Sequence, residues 1–322
     1  MQRRSVLGAG AVLGAAVVVR PTPVWAAAEG PAAVSNTDLA AARALFAAGA
    51  YDRLGRLLPL LLDAAGHEVR QGPADAARAA GVWTLASQLA VKQGRTAAAG
   101  AYAGLAGAAA RRCGNAVVLA AAARAAATPL RRTGRTRQAL DLLQEAHDHL
   151  TAFRRPTPAA LDAAGMVALT AAYTAAQAHR PALAEEFADE AEDTALRLAR
   201  HPHADSRPPQ LSAGQCALYR IGIHRHLGHV DTALAHARRL EATQLPTAER
   251  RARAATDTAR TLIDAGDMAG AFAQLRLVEL AAPAEARRPS VRALTARIAE
   301  HRPDLAGLAA YARRTGANTP GQ

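Results

Sequence analysis

From Asp38 onward, Leu and Ala return at three- and four-residue intervals, the period that lines apolar side chains along one face of a helix. Leu140, Leu143, Ala146, His147 and Leu150 form one such stripe, and Leu218, Ile221 and Leu227 another. Short turns interrupt the stripes, most of them opened by glycine: Gly49-Ala50-Tyr51-Asp52, Gly94-Arg95-Thr96-Ala97, Gly134-Arg135-Thr136-Arg137, Gly228-His229-Val230-Asp231 and Gly266-Asp267-Met268-Ala269. Glycine supplies the left-handed backbone through which a chain leaves a helix. His179-Arg180-Pro181-Ala182 replaces it once, and Pro181 there suits the first position of the following helix. Successive turns lie 45, 40, 45, 49 and 38 residues apart. This drifting period predicts an all-α chain: a right-handed α-solenoid of about six helix-turn-helix hairpins over residues 38–314, with twelve or thirteen helices.

Between hairpins the chain carries Pro and polar residues, at Gln71-Gly72-Pro73, Arg155-Pro156-Thr157-Pro158, His201 to Pro209 and Leu245-Pro246-Thr247. Thr247 reads as a helix N-cap, and 201–208 as a flexible loop within one domain. The expected organisation is a signal-like or linker segment over 1–30, a repeat domain over 31–314 and a disordered tail over 315–322. Composition supports helices and excludes two other classes. About 89 of the 322 residues are alanine and only 3% are aromatic, too few aromatics for a β-sandwich or barrel. The periodic apolar residues exclude a disordered chain.

The formal net charge is +12, and Lys92 is the only lysine among 39 basic residues. Arginines come in pairs (Arg111-Arg112, Arg131-Arg132, Arg154-Arg155, Arg287-Arg288) near expected helix ends, where cations complement the helix dipole. They are read first as helix ends and solvated faces, with a surface for an anionic partner as the alternative. Cys113 and Cys216 are far apart and make neither a disulfide framework nor a CxxC metal site.

The first thirty residues follow a different pattern. Arg3-Arg4 precede a charge-free run from Ser5 to Val19, followed by Arg20 and the small-residue site Val24-Trp25-Ala26. This layout resembles a twin-arginine export signal, with cleavage after Ala26. Val6 and Gln2 depart from its usual motif. Gly8, Gly10 and Gly14 mimic a dinucleotide loop, but no strand pattern precedes them and no acidic residue follows at the required distance.

The body resembles tetratricopeptide-type repeats. Its last 110 or so residues resemble the C-terminal helical-repeat region of helix-turn-helix transcriptional regulators of high-GC Gram-positive bacteria. The residues carrying this resemblance are Gly214 to Ile221, Leu227 to Leu234, Pro246 to Arg253 with Asp257 to Arg260, and Ala282 to Glu285 with Arg287-Arg288-Pro289. The DNA-binding domain at the front of those regulators has no counterpart in this sequence, so DNA binding is not carried over. The i, i+3 spacing of Asp257 and Arg260 allows an exposed ion pair; the resemblance implies instead a structural role for this stretch in helix stacking.

Candidate chemistry is sparse. His224, His226, His229 and His236 cluster near Cys216, but their spacing does not bring four ligands to one point. Six acids between Glu185 and Asp193 read as a solvated face rather than a catalytic pair, with a docking surface for a basic partner as the alternative. No nucleophile elbow, phosphate loop or HExxH motif occurs. The chain is therefore expected to be non-enzymatic, without cofactor or metal, and to bind a peptide or protein as a scaffold or sensor. The larger first-helix side chains, Trp83, Tyr173, Gln177, Tyr219 and Arg220, are the candidate partner-binding residues. Asparagine, the usual clamp for a peptide backbone, occurs only at 36, 115 and 318, with Asn115 expected inside a repeat helix. The alternative is the effector-sensing part of a regulator whose DNA-binding half is missing. Specific nucleic-acid binding by this chain alone and a stable membrane anchor after processing are not expected, and export is favoured over a cytoplasmic location.

The export motif makes a direct prediction. Replacing both Arg3 and Arg4 by Lys should abolish secretion; cytoplasmic accumulation of uncleaved wild-type protein would overturn the export expectation.

Overall fold

The computed structural model describes residues 34–68, 71–152, 155–201 and 209–317. The chain divides into Met1–Ala32 and Ala33–Gln322, and only the second unit is described. Arg3, Arg4, the cleavage site after Ala26, most of the 201–208 loop and most of the expected tail lie outside the described residues.

The described residues are helical, with no strand. In chain order the helices are α1 (Asn36–Ala47), α2 (Tyr51–Glu68), α3 (Pro73–Lys92), α4 (Thr96–Cys113), α5 (Ala116–Arg132), α6 (Thr136–Thr151), α7 (Pro158–Gln177) and α8 (Pro181–Ala199). They continue as α9 (Ala213–His226), α10 (Val230–Arg239), α11 (Ala248–Asp264), α12 (Met268–Ala281), α13 (Pro283–Ala286), α14 (Pro289–His301) and α15 (Leu308–Thr315), with one 3-10 turn at Ala242–Gln244. Fifteen helices exceed the expected thirteen. The surplus follows the sixth hairpin, where Pro283 and Pro289 each occupy a first helical turn and so start short new helices. The last helix reaches Thr315 and Ala317 is buried, so the domain runs past the expected limit at 314.

All six expected turns are real, and all six adopt left-handed backbone. Gly49, Gly94, Gly134, Gly228 and Gly266 have φ between 70° and 81°, and His179 has φ 53°, the one non-glycine in this region among the described residues. Side-chain caps fix several helix starts. Ser35 and Asp38 form a reciprocal capping box, and the side chains of Thr157, Ser212 and Thr247 accept backbone N–H groups of α7, α9 and α11. Asn115, expected inside a helix, is instead the N-cap of α5 and accepts from Val117 and Val118.

Helices pack as neighbouring pairs: α1/α2, α3/α4, α5/α6, α7/α8, α9/α10 and α11/α12. Each of α1, α3, α5, α7 and α9 also touches the next odd-numbered helix, and α11 touches α14. Odd-numbered helices therefore have neighbours on more sides, and α3 and α7 are buried around most of their circumference. Only α7 among the described helices is long and apolar enough to cross a membrane, and its apolar stretch is mostly buried in the core. Three apolar clusters follow one another along the array, centred on α1–α5, on α5–α9 and on α11–α15.

One arrangement departs from the repeat expectation, in which each hairpin contacts only its neighbours. The first hairpins meet the last: α1 touches α11, a Cβ at Gly49 would lie 2.7 Å from that of Ala282, and one at Gly94 would lie 3.2 Å from Pro289. Alanine on the odd helices permits close approach on that side, and the ends of the array come together.

The turn geometry is testable by equilibrium urea unfolding. Gly134→Ala places a Cβ in open space but forces alanine into left-handed backbone, and should lower stability by about 1 kcal/mol. His179→Gly relieves the same strain and should raise it by about 0.5–1 kcal/mol; a destabilised His179→Gly would contradict the reading.

Candidate functional site

The five residues expected to bind a partner have different fates. Trp83 is 6% exposed within the α1–α5 core, and Tyr219 is buried to the same degree. Arg220 is equally buried, and its guanidinium is held by Glu185, Asp189 and Glu192 of α8, the last at 2.8 Å. The acidic run is thus not a plain solvated face. Glu185, Asp189 and Glu192 share one face of α8 at i, i+4 and i+7, and they clamp α9 onto it. Glu190 faces His147 at 3.0 Å.

Tyr173, Gln177 and Tyr219 do come together, where α7 crosses α9. The Tyr173 and Tyr219 rings meet edge-on with centroids 6.3 Å apart. Nε2 of His226 lies 3.0 Å from the Tyr173 hydroxyl and 3.2 Å from Nε2 of Gln177. Burial, reinforced by Arg225, pushes His226 down to about 4, so the imidazole is neutral at physiological pH. Gly222 makes the crossing possible, since a Cβ there would stand 2.5 Å from the Tyr173 ring.

Around this pair stand four arginines that sequence spacing did not single out as a site. Arg124 and Arg131 come from α5, Arg250 and Arg253 from α11. Arg131 donates to the Thr174 hydroxyl (2.8 Å) and the Thr128 hydroxyl (3.0 Å), with its guanidinium 5.3 Å from the Tyr173 ring centre. Arg124 donates to Thr170 at 3.3 Å, and Arg253 stacks 4.2 Å from the Tyr219 ring centre. Arg253 has Asp257 at 3.6 Å; the other three form no ion pair with a carboxylate of the described residues. The concentration of positive charge is felt by Tyr219. Burial alone would raise its pKa, but Arg253, Arg124 and Arg250 outweigh burial and bring it to about 7. Burial pulls Arg131 and Arg250 below the usual arginine range. Arg131-Arg132 do end α5 as expected, yet Arg131 turns inward onto α7.

A second charged group joins the ends of the array. The Lys92 ammonium, 9% exposed, pairs with Glu249 of α11 and with Glu285 of α13, the latter at 2.6 Å. Glu285, 0% exposed, also accepts from the Tyr51 hydroxyl and from Arg288 (2.6 Å). Burial would raise the Glu285 pKa, but Lys92 and Arg288 outweigh it and hold it at about 2. Asp257 pairs with Arg260 at 2.7 Å, as their spacing allows, but Asp257 is buried, so the pair is not an exposed one. Where the α3–α4 turn meets the start of α14, a cleft of about 430 Å³ is lined by Lys92, Gly94, Thr96, Arg132 and Ser290.

The histidines stack without gathering at one point: His224 and His236 lie 5.1 Å apart, His224 and His229 6.0 Å. Among the described residues no group of three or more His, Cys, Asp or Glu side chains could hold a metal ion. Both cysteines are free, and burial pushes the Cys216 thiol up to about 12, so it stays protonated. No protein-family model and no curated protein matches the chain.

The Lys92–Glu285 group predicts an acid transition. A carboxyl held at about 2, below its usual 4.5, contributes stability in full above about pH 4.5, and that contribution is lost as pH falls towards 2. Glu285→Ala leaves the Lys92 ammonium short of a partner and should cost about 3–5 kcal/mol near neutral pH. Glu285→Gln should flatten stability between pH 4.5 and 2. Urea midpoints measured across pH check both; an unchanged acid limb in Glu285→Gln would refute the assignment.

Proposed function

We propose that this chain is a non-enzymatic helical-repeat protein, a right-handed tetratricopeptide-like solenoid that engages a peptide or protein on the side formed by its odd-numbered helices. The observation that carries this reading is the cluster at the α7–α9 crossing, where the Arg131 guanidinium of α5 lies 5.3 Å from the Tyr173 ring centre and that of Arg253 of α11 lies 4.2 Å from the Tyr219 ring centre. Arginine and tyrosine are enriched at recognition surfaces, because they combine apolar area with directed hydrogen bonds, and Arg131, Arg253 and Tyr173 are half-buried. In this reading Tyr173 and Gln177 keep the binding role inferred from sequence, while Trp83, Tyr219 and Arg220, each 6% exposed, act in packing.

The alternative, the sensing part of a transcriptional regulator, draws support from one observation. The segments that resemble such regulators contribute Arg220, Asp257, Arg260, Glu285 and Arg288, all of which make ion pairs within or between helices. The resemblance therefore falls on residues that hold repeats together.

Affinity capture with the full chain tests the reading. A specific partner should co-purify with the wild type and with the exposed outer variant Arg137→Glu, but not with Arg131→Glu. A partner lost from Arg137→Glu and kept by Arg131→Glu would contradict it, as would a sequence-specific nucleic-acid complex that survives physiological salt.

A further inference from the structure

We propose that the cleft where the α3–α4 turn meets the start of α14 takes the phosphate group of a small phosphorylated molecule, held by the Arg132 guanidinium and the Thr96 and Ser290 hydroxyls. The site shares no residue with the tyrosine cluster at the α7–α9 crossing, and it goes beyond the partner-binding reading without depending on it.

Charge balance is the first support. The cleft, about 430 Å³, falls at the lower end of the volumes that hold small ligands, about 300–1,000 Å³. Among the described residues its lining contains two cations, Lys92 and Arg132, and no carboxylate. Lys92 is balanced by Glu249 and Glu285, and Glu285 also holds Arg288. Arg132 has no carboxylate within ion-pair distance among the described residues. Its Nη1 donates to the Val91 carbonyl at 3.3 Å, which holds the guanidinium at the cleft and leaves Nε and Nη2 for a ligand. Burial pulls Arg132 below the usual arginine range, and repulsion from Arg288 and Arg260 adds to the effect. The cleft is therefore a place where an anion lowers the energy of the charges already there.

Unused donors are the second support. Lys92, nine-tenths buried, gives two of its three N–H groups to Glu249 and Glu285, with no acceptor among the described residues for the third. The buried Nε of Arg288, which precedes Pro289 in the chain, has no acceptor either. Thr96 is the first residue of α4 and Ser290 the second of α14, and neither helix has a side-chain cap. Two helix ends with open first-turn N–H groups thus meet at a cationic cleft, and both favour negative charge.

The donor set suits a phosphate. A phosphate ester is doubly charged near neutral pH and offers three oxygens, enough for the planar arginine fork and for hydroxyls from two sides. Val91 and Pro289 supply an apolar wall for the carbon part of the molecule. Arg132 and Thr96 belong to α5 and α4 and Ser290 to α14, so a ligand touching all three joins the two ends of the array and stabilises their contact.

Isothermal titration of the full chain with glycerol 3-phosphate at low ionic strength tests the proposal, with inorganic phosphate and glycerol as comparison probes. Glycerol 3-phosphate should bind at least as tightly as inorganic phosphate, and glycerol should not bind. Arg132→Met should weaken binding about ten-fold and Ser290→Ala about three-fold, while Arg197→Met, exposed on α8 and outside the cleft, leaves it unchanged. Arg132→Lys keeps the charge but not the fork and should lose about three-fold; it stands in if Arg132→Met fails to fold. Glycerol 3-phosphate at a concentration that saturates the wild type should raise its thermal midpoint, and raise that of Arg132→Met less. No binding of either phosphate compound, an equal loss from Arg197→Met, or an affinity unchanged in both cleft variants would each overturn the proposal. Inorganic phosphate bound more tightly than the ester would overturn it too, by showing a site for the free ion.

Discussion

The arrangement of this protein depends on one buried ammonium. Lys92 is the only lysine in a chain otherwise served by arginine, and it ends α3 between Glu249 and Glu285, carboxylates 157 and 193 residues further on. A buried ammonium without partners would be expensive. Two carboxylates, the Tyr51 hydroxyl on Glu285 and the Arg288 guanidinium make the group electrically balanced and hydrogen-bonded. A compact charge on a flexible stem fits between two carboxylates, and the Phe46 and Tyr51 rings lie 5.6 and 5.8 Å from it. Because the partners come from opposite ends of the array, this group fixes α2 and α3 against α11 and α13.

That constraint bears on the arginine cluster around Tyr219. Arg250 and Arg253 follow Glu249 immediately on α11, and Arg131 shares α5 with Arg124 one helix pair beyond α3. Holding α11 near α3 sets where the α11 arginines stand relative to those of α5. The positive charge around Tyr219 is then maintained by the framework instead of relaxing through side-chain separation, and binding energy need not order it.

The repeating part of this structure was legible because its signals are local. A left-handed turn selects glycine by backbone energetics alone, and five glycines and His179 marked all six turns. Helix starts at Pro181 and Thr247 followed from equally local rules. The three final helices were less legible, since α13 has only four residues and no stripe to display. In the cluster where α7 crosses α9, Tyr173, Gln177 and Tyr219 were singled out because large first-helix side chains stand out in an alanine-rich sequence. Trp83 stood out for the same reason, but its position turns into the core. The α8 clamp could have been found from the i, i+4, i+7 spacing of its acids, though nothing local names Arg220 as their partner. The contacts of Lys92 were beyond reach, because Tyr51 and Glu285 are 234 residues apart and no period links them.

Native-state hydrogen exchange on the full chain measures whether the two ends of the array stand or fall together. Joined ends require the amides of α2–α3 and those of α13–α14 to open with the same free energy, and Lys92→Met to lower both by the same amount. Independent exchange of α13–α15 at a lower free energy, untouched by Lys92→Met, would contradict the closed arrangement.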